Sequence, residues 1–234
     1  GQLKFLSVYA LEHTDVCIRL TDDIDYTEYP DGIIGTDSKR YSGTFDGQGH
    51  TIITNIKTDV AGGTGLFGSV VDATIKNLVL EGTIESSQKW IGGIAGITRG
   101  DKTLIENVLV KSTVRFTGSG DSTAGGLCGD MEGAFTVNNC AFVGSFDIPN
   151  GTNVGGFVSW TGSGKFNNCY VAPVEVSGES YKDFIHGGAG SCNNCYAANN
   201  AEVKEQLTNG ELCYLLNGKQ FRNTAWYQLI GEDE

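Results

Sequence analysis

Five copies of one short pattern run along this 234-residue chain, each joining a Gly-rich apolar segment to an apolar strand led by Asn. The Gly segments are Thr64 to Gly68, Gly92 to Gly96, Gly125 to Gly129, Gly155 to Ser159 and Gly187 to Ser191. The Asn positions are Asn77, Asn107, Asn139, Asn168 and Asn194, spaced 30, 32, 29 and 26 residues apart. A unit of this length cannot bury its own apolar face and must stack on its neighbours, so the pattern predicts a solenoid. In strands such as Thr74 to Ile84 apolar and polar residues alternate, which places one set inside each coil.

Composition narrows the partners. Hydrophobic residues make up 39% of the chain, enough for a core, and 34 Gly against 3 Pro suit the tight corners of a coil. The net charge of −12, with basic residues scattered, argues against nucleic acid or an anionic membrane surface. No apolar run approaches the ~20 residues of a membrane span. The chain opens on Gly1 and reads as a processed or recombinant fragment.

Of the 7 cysteines, Cys140, Cys169 and Cys195 directly follow the repeat Asn, where Leu78 and Val108 stand earlier. They are expected to replace aliphatic side chains in an inward stack. Cys192 and Cys195 form a C-x-x-C pair whose redox state the spacing leaves open, and the histidines, His13, His50 and His186, supply no second half of a zinc site. No cofactor or metal is expected.

A single domain is expected over residues 1–234, with an N-terminal cap over 1–15, coils over 16–200 and a C-terminal cap over 201–234. Residues 2–12 carry apolar side chains at helical spacing. Thr208 with Glu211 forms a capping box and Gly218 follows Asn217, which predicts a second helix sealing the far end, with Trp226 in that cap. Tyr41 to Ile52 reads as a strand, a tight Asp46-Gly47 turn and a second strand from Thr51.

The segments Gly65-Leu66-Phe67-Gly68 and Gly126-Leu127-Cys128-Gly129, the elements Asn168-Cys169-Tyr170 and Asn194-Cys195-Tyr196, and the stretch Tyr41 to Ile52 together resemble the GLUG-motif repeat family over about residues 15–230. Ser159 and Ser191 depart from the terminal Gly of that motif. The resemblance implies an all-β, right-handed parallel β-helix of about five to six coils in a secreted or surface protein of bacteria, commonly Bacteroidetes. It carries no catalytic residues.

Two functions are weighed. A non-catalytic adhesion or ligand-binding module, with a glycan or a host or bacterial surface protein as partner, rests on aromatics outside the repeat core. These are Trp90, turned outward if Ile91 points in; Trp160, which stands where Asp130 stands one repeat earlier; and Tyr181 and Phe184 in a loop of the fifth repeat. A rigid spacer is the blander form of this reading, and oligomeric state is left open. The alternative is a polysaccharide lyase or glycoside hydrolase, which needs carboxylates gathered on one face. The densest acidic group, Asp22, Asp23, Asp25 and Asp46, lies near the N-terminal cap and reads as turn carboxylates. H-E-x-x-H and G-x-S-x-G are absent from the sequence. His186, aligned before Gly-Gly with Ile91, Ala124 and Val154, is expected to be a packed inward histidine.

Overall fold

The computed structural model describes residues 2–199 and the strand segments Glu202–Lys204, Gln206–Thr208 and Glu211–Cys213. A helix, Gln2–Tyr9, precedes a parallel β-helix of about six coils. Each full coil passes through a five-stranded sheet (Phe67–Val71, Ala95–Arg99, Cys128–Met131, Val158–Thr161 and Ile185–Gly188), here the glycine sheet. It continues through the large sheet, typified by Thr74–Ser86. It returns through a four-stranded entry sheet of Ile91–Gly92, Gly120–Gly125, Gly151–Gly155 and Tyr181–Lys182.

Register stacks like on like. Phe45, Ile75, Ile105, Val137, Phe166 and Cys192 form one inward column, and Ile52, Leu80, Val110, Phe142, Val171 and Ala197 another. All are buried. Burial of each larger side chain contributes about 1.5–3 kcal/mol, so these columns supply much of the favourable free energy. The strands Thr44–Asp46 and Thr51–Lys57 do not pair with each other as a hairpin. Each pairs with the coils on either side, and the Asp46-Gly47 turn is a coil corner.

That corner recurs at every repeat Asn. Asn77, Asn107, Asn139, Asn168 and Asn194 all adopt the left-handed backbone region, with φ of 56°, 54°, 54°, 54° and 52°. Asn tolerates this conformation better than other non-Gly residues, and its amide carries both donor and acceptor. Each Nδ2 therefore donates to the Oδ1 one coil earlier, at 3.1 to 3.3 Å, and Asn77 donates to the Asp46 carboxylate at 3.0 Å. The ladder ends on a charge. Burial opposes ionisation of Asp46, but bonds from Gln48 and Asn77 and the Lys76 charge hold its pKa below the usual range.

Behind the ladder, Cys140, Cys169 and Cys195 are buried, as the repeat alignment predicts. Their thiols also donate weakly to corner carbonyls, Cys140 to Asn138 O at 3.3 Å and Cys169 to Asn167 O at 3.4 Å. Valine could fill the volume but not make this contact. Burial pushes the Cys140 and Cys169 thiols up, away from the reactive thiolate.

The Gly motif has a separate cause. Here the entry strand and the glycine-sheet strand fold back on each other at backbone contact distance. A Cβ on Gly92 would strike the backbone of Ala95 and Cys128, and one on Gly96 would strike Gly63 and Thr64. Ser159 holds the equivalent place in a later coil because its hydroxyl donates to Asn153 O at 2.5 Å.

The fifth repeat is registered differently from the sequence expectation. Val154 pairs with Tyr181 and Gly155 with Lys182, and Phe157 N donates to Phe184 O at 2.9 Å. Tyr181 and Phe184 thus occupy the places of Ile91 and Ile94, within the coil rather than in a loop. Gly187-Gly188 lies beyond the fold-back, in the glycine sheet. His186 consequently aligns with Ser159, not with Ile91, and is only half-buried. Glycine is less demanded at Lys182 because Tyr181–Lys182 is the last described strand of the entry sheet, whereas Gly92 and Gly125 also meet the backbone of the coil after them.

The helix expected over 208–218 is also corrected in its described part. Gln206–Thr208 and Glu211–Cys213 pair antiparallel, as do Tyr196–Asn199 and Glu202–Lys204. In the sequence, Asn209-Gly210 with Leu207 and Leu212 two positions to either side is a hairpin signal that competes with the capping box. Asn217, Gly218 and Trp226 lie outside the described residues.

Replacing Asn107 separates backbone from ladder. Asn107→Gly keeps the left-handed corner and loses the amide bonds, whereas Asn107→Ala loses both. Urea unfolding is expected to place the Ala variant about 1–2 kcal/mol below the Gly variant, and equal losses would refute the corner argument. Cys140→Val should remain folded within about 1.5 kcal/mol of the parent by the same measurement.

Candidate functional site

The glycine sheet carries one column in which the buried Ile97, the half-buried Asp130, the exposed Trp160 and Gly187 follow each other coil by coil. Trp160 is 42% exposed, a large cost to leave unpaired on a rigid sheet. Its indole lies across Gly187, where any Cβ would run into the ring. The imidazole of His186 packs against it edge-on, with centroids 5.6 Å apart. Burial and the nearby Lys182 charge lower the His186 pKa, keeping the ring neutral at pH 7. Lys182 Nζ donates to the His186 carbonyl at 2.6 Å.

Asp130, one coil before Trp160, is the unusual carboxylate. Burial, assisted by the Glu132 charge, pushes its pKa up to about 6 against the opposing influence of Arg99 and Lys89. Arg99 is itself engaged, bonded to Glu132 and 3.5 Å from Asp37.

The rim of this face is the corner leading into the entry sheet. Lys89 Nζ sits over the Trp90 ring at 4.5 Å and lies 3.8 Å from Asp121. Asp121 Oδ1 accepts from Thr123 Oγ1 at 2.7 Å and Asn153 Nδ2 at 2.8 Å. Burial works against the charged form of Asp121, but these bonds and Lys89 hold its pKa below the ordinary range. Trp90 and Thr123 have φ of 66° and 37°, a region that costs such residues energy and that Gly63 and Asn153 fill in other coils. Asp121 also acts electrostatically on His186, and Lys89 on Asp130, so corner and sheet face form one surface.

Of the four aromatics expected as contacts, the fold brings Trp90 and Trp160 to this surface, Trp90 half-buried. Phe184 is 0% exposed and packs 5.0 Å from Phe157. Tyr181 is largely enclosed, 5.7 Å from Phe146. Both belong to the core because the fifth coil is registered as described above. Asp130, Asp121 and Lys89 were not legible as site residues. The signal was the equivalence of Asp130 and Trp160 within the repeat, which stacks them on one face.

Other acidic groups serve the backbone. Asp23 accepts from Thr51 N at 2.9 Å and from His50, Asp25 from Thr27, and Asp46 from Gln48 and Asn77. A groove of about 370 Å³ at the turns before the large sheet contains Asp101 with Lys102 and Lys165, but Asp101 Oδ1 accepts from Ala134 N at 3.1 Å. Glu85 and Asp147 alternate with Lys57 and Arg115 along the large sheet as an ion-pair ladder.

No family model matches this chain, and no curated protein matches it. Among solved structures, it is similar to a putative immunoglobulin A1 protease from Bacteroides ovatus, with a TM-score of 0.58 and 19% identity over 87% of this chain and 74% of that one. At that identity the likeness concerns the fold, the parallel β-helix.

Asp130 should leave a mark on stability. Its folded pKa lies above the ordinary carboxylate value, so folding is favoured by its protonated form and stability falls as pH rises through about 4 to 6. After allowance for solvent screening, the effect is about 1 kcal/mol. Asp130→Asn should therefore stabilise the protein by about that amount at pH 8 and by little at pH 4. Urea midpoints at the two pH values that shift equally would contradict it.

Proposed function

We propose that this chain is a non-catalytic β-helix module of a secreted or cell-surface bacterial protein, binding a ligand on the outer face of its glycine sheet around Trp160. The observation that carries this reading is Trp160 itself, a large aromatic ring held on a rigid sheet by Gly187 and His186 and left open to solvent. A ring so placed stacks on a sugar or anchors a protein partner at little conformational cost. The Bacteroides origin of the structural neighbour agrees with a bacterial source. The neighbour's protease name lends no activity to this chain, whose sequence carries neither H-E-x-x-H nor G-x-S-x-G. The lyase or hydrolase alternative would rest on Asp130 and Glu132, which lie with Arg99 and Lys89 beside Trp160, whereas Asp23, Asp101 and Asp147 are bonded to turns or paired in a ladder.

The test is an array of glycans and surface-protein fragments probed with the parent protein, Trp160→Ala and Phe184→Leu. Binding should fall at least about ten-fold, or 1.4 kcal/mol, in Trp160→Ala, with the melting transition retained. Phe184→Leu should weaken stability and leave the affinity of the folded fraction intact. A parent protein that binds nothing on the array would overturn the proposal in favour of a spacer.

A further inference from the structure

We infer that the Trp160 face takes a neutral, hydroxyl-rich sugar, with the pyranose ring stacked on the indole and hydroxyls hydrogen-bonded to Asp130, rather than an anionic glycan or a cationic peptide. This rests on the ligand-binding reading above and specifies its chemistry.

The argument is one of charge already spent. An acidic sugar needs an uncommitted cation, best a guanidinium presenting its fork to the carboxylate. Around Trp160 the described cations are Lys89, Arg99 and Lys182. Lys89 is placed between Asp121 and the Trp90 ring and Arg99 between Glu132 and Asp37, while Lys182 bonds the neutral His186 carbonyl and keeps its charge. His186 is held neutral by burial and by Lys182. An incoming carboxylate or sulfate would meet Asp121, Asp130 and Glu132 with the single ammonium of Lys182 to receive it and no guanidinium fork, on a chain whose net charge is −12.

A cationic side chain fares no better. It would gain the indole face, but Lys89 and Arg99 both act on the Asp130 carboxyl from nearby and would repel it. At pH 7.5 the half-buried Asp130 carboxylate is ionised and accepts from sugar hydroxyls. The aromatic face and the hydrogen-bonding capacity of Asp130 are therefore what the surface has left to offer. Their complement is a ring with an apolar C–H face and a hydroxyl edge.

The inference is tested at pH 7.5 with immobilised neutral β-glucan, mannan and galactan fragments, polygalacturonate, a sulfated glycan and an oligolysine peptide. The parent, Trp160→Ala, Asp130→Ala and Gly187→Val are compared after circular dichroism confirms that each is folded. The expected result is binding to a neutral fragment, changed less than about two-fold between about 0.05 and about 0.5 M salt. That binding should be lost at least ten-fold in Trp160→Ala and weakened several-fold in Asp130→Ala. Gly187→Val, which lifts the indole without removing it, should also bind more weakly, and it keeps the test valid if Trp160→Ala fails to fold. Trp160-dependent capture of polygalacturonate, the sulfated glycan or oligolysine that falls with salt would overturn the inference and leave the ligand-binding reading standing. Absence of any Trp160-dependent binding would overturn both.

Discussion

The asparagine ladder is the interaction on which the rest of the molecule depends. A coil of about 30 residues must turn sharply between two strands of the large sheet, and that turn needs a left-handed residue in every coil. Asparagine meets the need and simultaneously ties each coil to the one before it. The bond from Asn77 to Asp46 and the four amide-to-amide bonds after it fix the vertical alignment of the coils. Once that alignment is fixed, the residue after each Asn must point inward, and Leu78, Val108, Cys140, Cys169 and Cys195 fill one column. Slippage by one residue would turn the entire apolar set outward, so a polar ladder specifies an apolar core.

The glycines act on the opposite side of the coil and position the surface. Because Gly92 and Gly96 allow backbone-to-backbone contact, the glycine sheet and the entry corner lie close enough for Lys89 and Asp121 to act on groups of the sheet face. Bulkier residues at those places would separate the two elements. The motif that looks purely structural is therefore what joins the corner at Trp90 to the column at Trp160.

Much of this could be read from the residues alone, for physical reasons that differ between elements. The Asn period and the cysteine stack were legible because each coil repeats the same constraint. Trp160 was legible because its equivalence with Asp130 fixes its direction once the register is known. The fifth coil was not, since Gly187-Gly188 has the composition of the fold-back but lies past it, under the Trp160 ring and beside Thr161. Pairing with Val154 and Gly155 decides that register, and pairing is a property of two coils rather than of one. Phe184 followed from the same misalignment, moving from surface to core. At the C-terminal end, two local signals competed, and the hairpin dipeptide prevailed over the capping box in the described strands.

Departures from the repeat's own rules give the best guide to where function lies. Gly63 and Asn153 fill the left-handed entry corner in two coils, and the small residues Ser69 and Gly187 stand at the two ends of the Trp160 column. The exceptions fall on adjacent coils. Trp90 and Thr123 occupy a backbone region unfavourable to them, Asp130 carries a half-buried carboxyl, and Trp160 exposes an indole. In a solenoid each coil's stability depends mainly on its immediate neighbours, so such costs concentrated in one place are not diluted over the whole chain. A spacer gains nothing from bearing them together. A recognition surface does, because strain at the corner, a neutral histidine and internally paired charges leave one aromatic face and one adaptable carboxyl side by side.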